Sequence, residues 1–311
     1  MEQIVYASYH KDADEVEKSS SGAMFTAFSD FILNNNGLVV SAAYDYSEHK
    51  LKHIICQNKE ERDLCRGSKY IQSYINKDIY KEVEQALNNR KMVLYMGMPC
   101  QIAAVKNYLK IKNIDSEYLY TCDILCHGVG SPGIWDSFIN YLEKSKKTKI
   151  KFLTFKDKRN GWKNPICIAR DEKKEYSLRK YSWLYFSNAI MRPSCYSCKY
   201  TTTNREGDIT IGDFWKIKSK YPEMYNSRGT SFAIVNTEQG KRLFNKIKSE
   251  LVYKECKMED CIQNNMNKPT EKGRYHNSIM NDYKKGKKVV FFKKWGLILF
   301  LERIKKKVIH K

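Results

Sequence analysis

Five of the ten cysteines stand where thiol chemistry is credible. Cys100 lies in a Gly-Met-Pro-Cys-Gln turn, Cys126 in Cys-His-Gly-Val-Gly, and Cys195 and Cys198 form a Cys-x-x-Cys pair after Arg192-Pro193. Cys122, four residues before Cys126, is the fifth. A Cys-x-x-Cys puts two thiolates on one turn, close enough to grip one metal ion or one edge of a cluster. A single pair cannot complete a four-thiolate site, so it needs partners from elsewhere in the chain. Four converging thiolates suit a [4Fe–4S] cluster or a structural zinc, and a pair alone suits a redox dithiol. Cys56, Cys65, Cys167, Cys256 and Cys261 sit in ordinary strand or helix surroundings and read as small buried hydrophobes.

The elements that must position these thiols follow from periodicity and turn residues. Ser19, Ser20 and Ser21 are placed to cap a helix whose apolar face is Met24, Phe25, Phe28 and Ile32. An Asn-Asn-Asn-Gly stretch ends it, and residues 38–43 form an apolar, β-prone run. A helix over about 79–88 leads into a short buried strand at 91–96, which runs into the Cys100 turn. The Ile102, Val105, Leu109 pattern then predicts another helix. Residues 118–125 read as a second buried strand ending at Cys126. Cys100 and Cys126 are thereby expected at the C-terminal ends of two strands, the edge where an open α/β sheet presents ligands.

Beyond residue 149 short β-like runs (150–156, 166–170, 209–212, 231–236) alternate with charged turns. The expected architecture is an α/β N-terminal lobe (1–150), an α+β second portion (151–283) carrying the Cys-x-x-Cys loop, and a basic amphipathic C-terminal helix (284–311).

Composition sets the broad class. Apolar residues make up 42% of 311, enough for a substantial core, which excludes wholesale disorder. The first 18 residues hold no signal-like apolar run, and no stretch suits a spanning helix, so a cytoplasmic location is expected. The net charge is +21, but the last 28 residues alone carry eleven Lys and Arg against one acid, Glu302. The body is thus only moderately basic and lacks an aromatic recognition motif, which argues against nucleic acid as a partner. In the tail, Phe291, Phe292, Trp295, Leu299 and Ile304 can share a helical face edged by lysines. Such a face suits either peripheral contact with an anionic membrane or docking on the body.

Six ordered blocks carry a resemblance: SSSGAMF (19–25), RGSKYIQS (66–73), GMPCQIAAVKNYL (97–109), ILCHGVGSPGIW (124–135), FKDKRNGW (155–162) and CYSCKY followed by R-x-x-DITIGDFW (195–215). Together they resemble the coenzyme F420 hydrogenase/dehydrogenase beta-subunit family from about Ser19 to Trp215, more weakly to Asn236. The resemblance implies an oxidoreductase that binds FAD and a [4Fe–4S] cluster. It would exchange hydride with a carrier or substrate at the flavin, and single electrons through the cluster. F420 is one candidate carrier, although no particular residue points to it.

Carried onto this chain, the resemblance makes Cys100, Cys126, Cys195 and Cys198 the cluster thiolates. It sets the flavin against Ser20, Ser21 and Gly22, the segment Ser68, Lys69 and Tyr70 with Gln72, and the loop of His127 and Gly128. Lys156, Lys158 and Arg205 become partners for its phosphates or for an anionic ring, with Asp208 and Asp213 as weaker candidates. Physically, a glycine and hydroxyls at a helix start offer N–H groups and a positive dipole end to a pyrophosphate. A lysine near the pyrimidine end of a flavin favours its reduced, anionic form.

Two positions depart from the family pattern: Gly22 is followed by Ala23 where paired glycines are expected, and Ala104 stands where glycine is common. Many relatives carry an N-terminal ferredoxin-like module, and this sequence begins at the flavin lobe. One cluster and an electron-transfer protein partner are therefore expected. Similar bacterial proteins are associated with surface-polysaccharide gene clusters. The alternatives are a non-catalytic scaffold of the same fold in a glycan-synthesis complex, and a zinc-stabilised nucleic-acid-binding protein.

Overall fold

The structure, a computed structural model, describes residues 2–309, with side chains through Lys305. In chain order the strands are β1 (Ile4–His10), β2 (Leu38–Asp45), β3 (Lys50–Cys56), β4 (Ser73–Tyr74), β5 (Val93–Gly97), β6 (Leu119–Ile124), β7 (Phe152–Asp157), β8 (Ile166–Arg170), β9 (Glu175–Ser177), β10 (Ile209–Asp213), β11 (Ser231–Val235) and β12 (Leu251–Cys256). The helices are α1 (Ala13–Lys18), α2 (Met24–Asn34), α3 (Lys59–Leu64), α4 (Lys77–Asn88), α5 (Pro99–Ile111), α6 (Pro132–Lys146), α7 (Arg179–Phe186), α8 (Ile217–Lys220), α9 (Glu238–Ile247), α10 (Met258–Cys261), α11 (His276–Lys284) and α12 (Lys288–Ile309).

Nine strands form one mixed sheet in the order β12-β1-β11-β10-β6-β5-β2-β3-β4, and β7-β8-β9 form a second, antiparallel sheet. The large sheet takes strands from both sides of residue 150. Its centre is buried on both faces, and alternation sorts the side chains. Leu94 and Met96 of β5 pack with Met24, Phe28 and Ile32 of α2 and Leu243 and Phe244 of α9. Val93 and Tyr95 pack with Val83 and Leu87 of α4 and Ile102, Val105 and Leu109 of α5.

The strands β2, β5, β6 and β10 run parallel as neighbours, with Gly97 opposite Asp123 and Ile124 opposite Ile211. Their C-terminal ends therefore meet at one edge, and the segments after β5 and β6 carry Cys100 and Cys126 to it. The α/β reading holds for a mixed nine-stranded sheet with helices, built from both parts of the chain.

Two local expectations are corrected. The cap position of α2 is Ala23, in the left-handed region at φ 61°, and no side chain caps the helix; Ser19, Ser20 and Ser21 stand before it. The tail helix α12 buries Phe291, Phe292, Trp295 and Leu299 against the body, where Phe292 meets Phe138 and Tyr141 at 5.3 Å each. That face is occupied by protein, while Ile304, expected on it, is exposed. Among the described residues no helix is long and apolar enough to cross a membrane.

Candidate functional site

Cys100, Cys126, Cys195 and Cys198 line one pocket of about 120 Å³ at the C-terminal edge of the parallel strands. Each is held there by local structure. Pro99 occupies the first turn of α5, and Gln101 accepts the Met98 N–H at 3.0 Å, so the helix starts at the end of β5 and Cys100 sits in its first turn. The loop after β6 is paired to the Cys-x-x-Cys segment: Gly130 bridges Met191, Ser131 N–H reaches Ile190 at 2.7 Å, and Arg192 N–H reaches Val129 at 2.8 Å. Gly128, at φ 115°, donates its N–H to the Cys126 sulfur at 3.3 Å. A Cβ there would come within 3.3 Å of both Cys195 Cβ and the Met191 sulfur. Cys195 lies in the tight turn Pro193–Ser197, and Cys198 follows it.

The thiols feel one another. Burial pushes the Cys126 thiol up to about 12, and Cys100, Cys195 and Cys198 add to the shift. Cys195 is raised by burial and then by Cys198. Cys100, the most exposed of the four, is raised by the protein around its sulfur and then by Cys198 and Cys195. Cys100, Cys126 and Cys195 are thus each held towards the neutral thiol by burial first and by neighbouring sulfurs second. Cys122 is on β6, wholly buried in the apolar core, and does not line the pocket. Among the described residues no three His, Cys, Asp or Glu side chains are placed to hold one metal ion.

Beside the thiol pocket lies a cleft of about 410 Å³, within the range of small-molecule sites. The two share a wall that includes Met98, Gln101, Cys126, His127 and Gly128. Ala23, Met24 and Phe25 line the cleft, so the uncapped start of α2 opens on it. In the same lining Ser68 donates both its N–H (2.7 Å) and its hydroxyl (3.0 Å) to Ser20 Oγ, clipping the two serine segments together. Tyr70 stacks on Tyr185, with ring centroids 4.9 Å apart. Lys156 is buried, paired with Asp213, and lies 5.4 Å from the Trp215 ring centre.

Three buried polar atoms in this lining have no partner in the protein: Ser21 Oγ and both ring nitrogens of His53. Burial lowers the His53 pKa to about 4; the Met96 and Tyr74 backbones oppose that shift, but neither makes a hydrogen bond of ordinary geometry. Buried polar atoms without partners are costly, and a ligand carrying donors and acceptors would satisfy them. An uncapped helix start and unpartnered polar atoms in one cleft fit a group that carries hydrogen-bonding atoms and negative charge.

Residues 90–260 match the family described as the C-terminal part of the beta subunit of coenzyme F420 hydrogenase/dehydrogenase. The chain belongs to this family. A solved chain of the F420-reducing [NiFe] hydrogenase complex from Methanosarcina barkeri shares its fold, with a TM-score of 0.52 at 15% identity over 94% of this chain and 90% of that one. No curated protein matches the chain.

Of the residues the F420 hydrogenase/dehydrogenase beta-subunit resemblance singled out, Ser20, Ser21, Ser68, Lys69, Tyr70, His127, Gly128 and Lys156 line the cleft, as does Asp213. Lys69 points its ammonium at the carbonyls of Cys65, Arg66 and Gly67 (2.9, 2.8 and 3.1 Å), and burial lowers its pKa to about 8. His127 is clamped, with Nδ1 facing Asn265 Oδ1 at 3.1 Å and Nε2 facing Asn188 Oδ1 at 2.7 Å.

The others lie elsewhere. Gly22 is outside the lining: its N–H goes to Ser231 Oγ at 2.9 Å, and a Cβ there would stand 2.4 Å from the Ser8 carbonyl. Its glycine serves strand packing. Lys158 binds the carbonyls of Val16 and Arg228 at 2.6 and 2.8 Å and lines a surface hollow that adjoins the cleft, sharing Ser19, Ser20, Gly67 and Lys156 with it. Arg205 lies beside the thiols, paired with buried Asp123 at 2.6 Å and bonded to the carbonyls of Tyr200 and Thr202. Gln72 also faces the thiol pocket. Asp208 is buried and accepts from Thr121 and Thr237.

Sequence reasoning missed His53, Gln101, Gln263 and Asn265, all in the cleft wall. Gln101 could have been found, since its position three residues after Met98 is that of a capping glutamine. His53 sits at an inward position of a strand, where a lone histidine reads as core.

Proposed function

We propose that this chain is a flavin- and iron–sulfur-dependent oxidoreductase subunit that binds FAD in the large cleft and one [4Fe–4S] cluster on Cys100, Cys126, Cys195 and Cys198. The observation that supports this most is the shared wall: Cys126 lines both the four-thiol pocket and the cleft. A flavin supplies two-electron hydride chemistry and a cluster supplies one-electron transfer, so adjacent sites let the pair convert one into the other. The start of α2 would face the pyrophosphate. Ser21 and His53 would give polar partners to the ring or ribityl chain, and Lys156, held by Asp213, would favour negative charge near the ring. The clamped His127 keeps the dividing loop in place.

The hydride carrier, F420 or another, and a role in surface-polysaccharide metabolism are carried from the family likeness. A protein partner that exchanges electrons with the cluster agrees with the match to a chain of a multi-subunit hydrogenase complex. Cys100 is the most open of the four thiols, so that partner would approach near the start of α5.

Peripheral contact with an anionic membrane, if carried by α12, would use its outward stripe of Val290, Leu297, Leu301 and Ile304, all exposed and flanked by lysines.

The test is iron retention after anaerobic reconstitution of five single variants. Cys100→Ser, Cys126→Ser, Cys195→Ser and Cys198→Ser should each lose most of the iron, and Cys122→Ser should keep it. Full iron in Cys198→Ser together with loss in Cys122→Ser would overturn the ligand set.

A further inference from the structure

Two cysteines that read as plain core residues touch each other at the cleft. Cys56 ends β3 and Cys65 follows α3, and their sulfurs are 3.8 Å apart. Cys56 is wholly enclosed, whereas Cys65 lines the cleft.

Their surroundings divide the roles. The contact with Cys65, and then burial, push the Cys56 thiol up. The same contact favours the Cys65 thiolate, and Lys69, Ser41 and Arg62 add to that preference. Lys69 is fixed close by through its bond to the Cys65 carbonyl. A thiolate that faces an opening, backed by a protonated thiol in contact with it, is the arrangement of a nucleophilic cysteine and its resolving partner.

We propose that Cys65 and Cys56 are a thiol–disulfide exchange site opening on the cleft, oxidised by low-molecular-weight disulfides and reduced by low-molecular-weight thiols. The Cys65 thiolate attacks one sulfur of an incoming disulfide and releases one thiolate. The Cys56 thiol then gives up its proton and attacks the Cys65 sulfur of the mixed disulfide, releasing the second thiolate. In sum one small disulfide is reduced to two thiols while the protein dithiol loses two electrons and two protons. Closure requires the two sulfurs to move from 3.8 Å to bonding distance. The new bond ties the end of β3 to the segment that carries Ser68, Lys69 and Tyr70, so the oxidation state would set the rigidity of one cleft wall. The site does not depend on what the cleft binds.

The full-length protein, equilibrated anaerobically in glutathione mixtures from fully reduced to fully oxidised, is acid-quenched, alkylated and digested with trypsin. Cleavage after Lys52, Lys59, Arg62 and Arg66 puts the two cysteines on separate peptides, 53–59 and 63–66. The expected result is a linked pair of these peptides, lighter by two hydrogen atoms than their sum, that accumulates in oxidised mixtures and disappears on return to reduced ones. Cys56→Ser should instead trap Cys65 as its glutathione adduct. Both peptides fully alkylated in every mixture, or a Cys65 adduct without the cross-link in the unaltered chain, would overturn the proposal. The unaltered chain carries the decisive readout, so a variant that fails to fold does not blunt the test. Flavin and iron content do not enter it.

Discussion

Gly130 and Met191, sixty-one positions apart, form an isolated antiparallel bridge that holds the Cys126 loop against the Cys-x-x-Cys segment. Two loops that share no regular element are thereby fixed in register, which lets thiols from distant parts of the chain line one pocket.

Gly130 is required at that bridge because a Cβ would stand 2.6 Å from the Tyr181 hydroxyl, which is itself held on the Tyr70 carbonyl at 2.8 Å. Gly130→Ala should cost about 1–3 kcal/mol, the usual range for overpacking a rigid site, and lower the iron bound per chain. Urea unfolding and an iron assay of the same preparation would show it; wild-type values in both would mean the bridge is dispensable.

Ala23 adopts φ 61° at the head of α2, a left-handed position that favours glycine. An L-residue with a Cβ pays for left-handed backbone, and glycine does not. Ala23→Gly should therefore raise stability by about 0.5–1 kcal/mol, the left-handed penalty less the added freedom of the unfolded chain. Thermal unfolding at fixed protein concentration measures it, and a lower midpoint would contradict the left-handed assignment.

His53 carries a pH signature. Its folded pKa of about 4 is below the ordinary 6.5, so the unfolded chain binds the proton more tightly between those values. Its contribution to stability is complete above about pH 6.5 and is lost as the pH falls towards 4, by up to about 3 kcal/mol. His53→Phe should flatten the stability profile in that window relative to the unaltered chain. Equal slopes for the two proteins would show that His53 is not buried and neutral.

The two faces of α12 should separate by experiment. Phe292 is fully enclosed between α6 and α12, so Phe292→Ala should cost about 3–5 kcal/mol. Replacing Leu297 and Leu301 by Ser should leave stability nearly unchanged and reduce sedimentation with anionic phospholipid vesicles. If the double variant sediments like the unaltered chain, the outward stripe does not meet lipid.

The central strands were legible because β5, β6, β10 and β11 are short, apolar and bounded by turn residues, and because a parallel sheet buries both faces. The strand-end position of Cys100 and Cys126 followed from the same reading. Strands β3 and β12 were harder, since Lys and His in β3 and Lys and Glu in β12 interrupt their apolar runs, while β1 owes its place to pairing with β11 and β12 far along the chain. Side-chain direction was the other limit. Lys158 and Arg205 sit in the right blocks, but which cations face a cleft and which are taken up by carbonyls or by Asp123 depends on folding that spacing does not encode. For α12, five apolar residues were compatible with one face, and packing placed four of them on the body and left Ile304 outside.

The most direct test of the redox reading is the cofactor content of protein purified without oxygen. About four irons per chain, sulfide to match, a broad absorbance shoulder near roughly 400 nm and one extractable flavin are predicted. A colourless protein with one zinc and no flavin would contradict it.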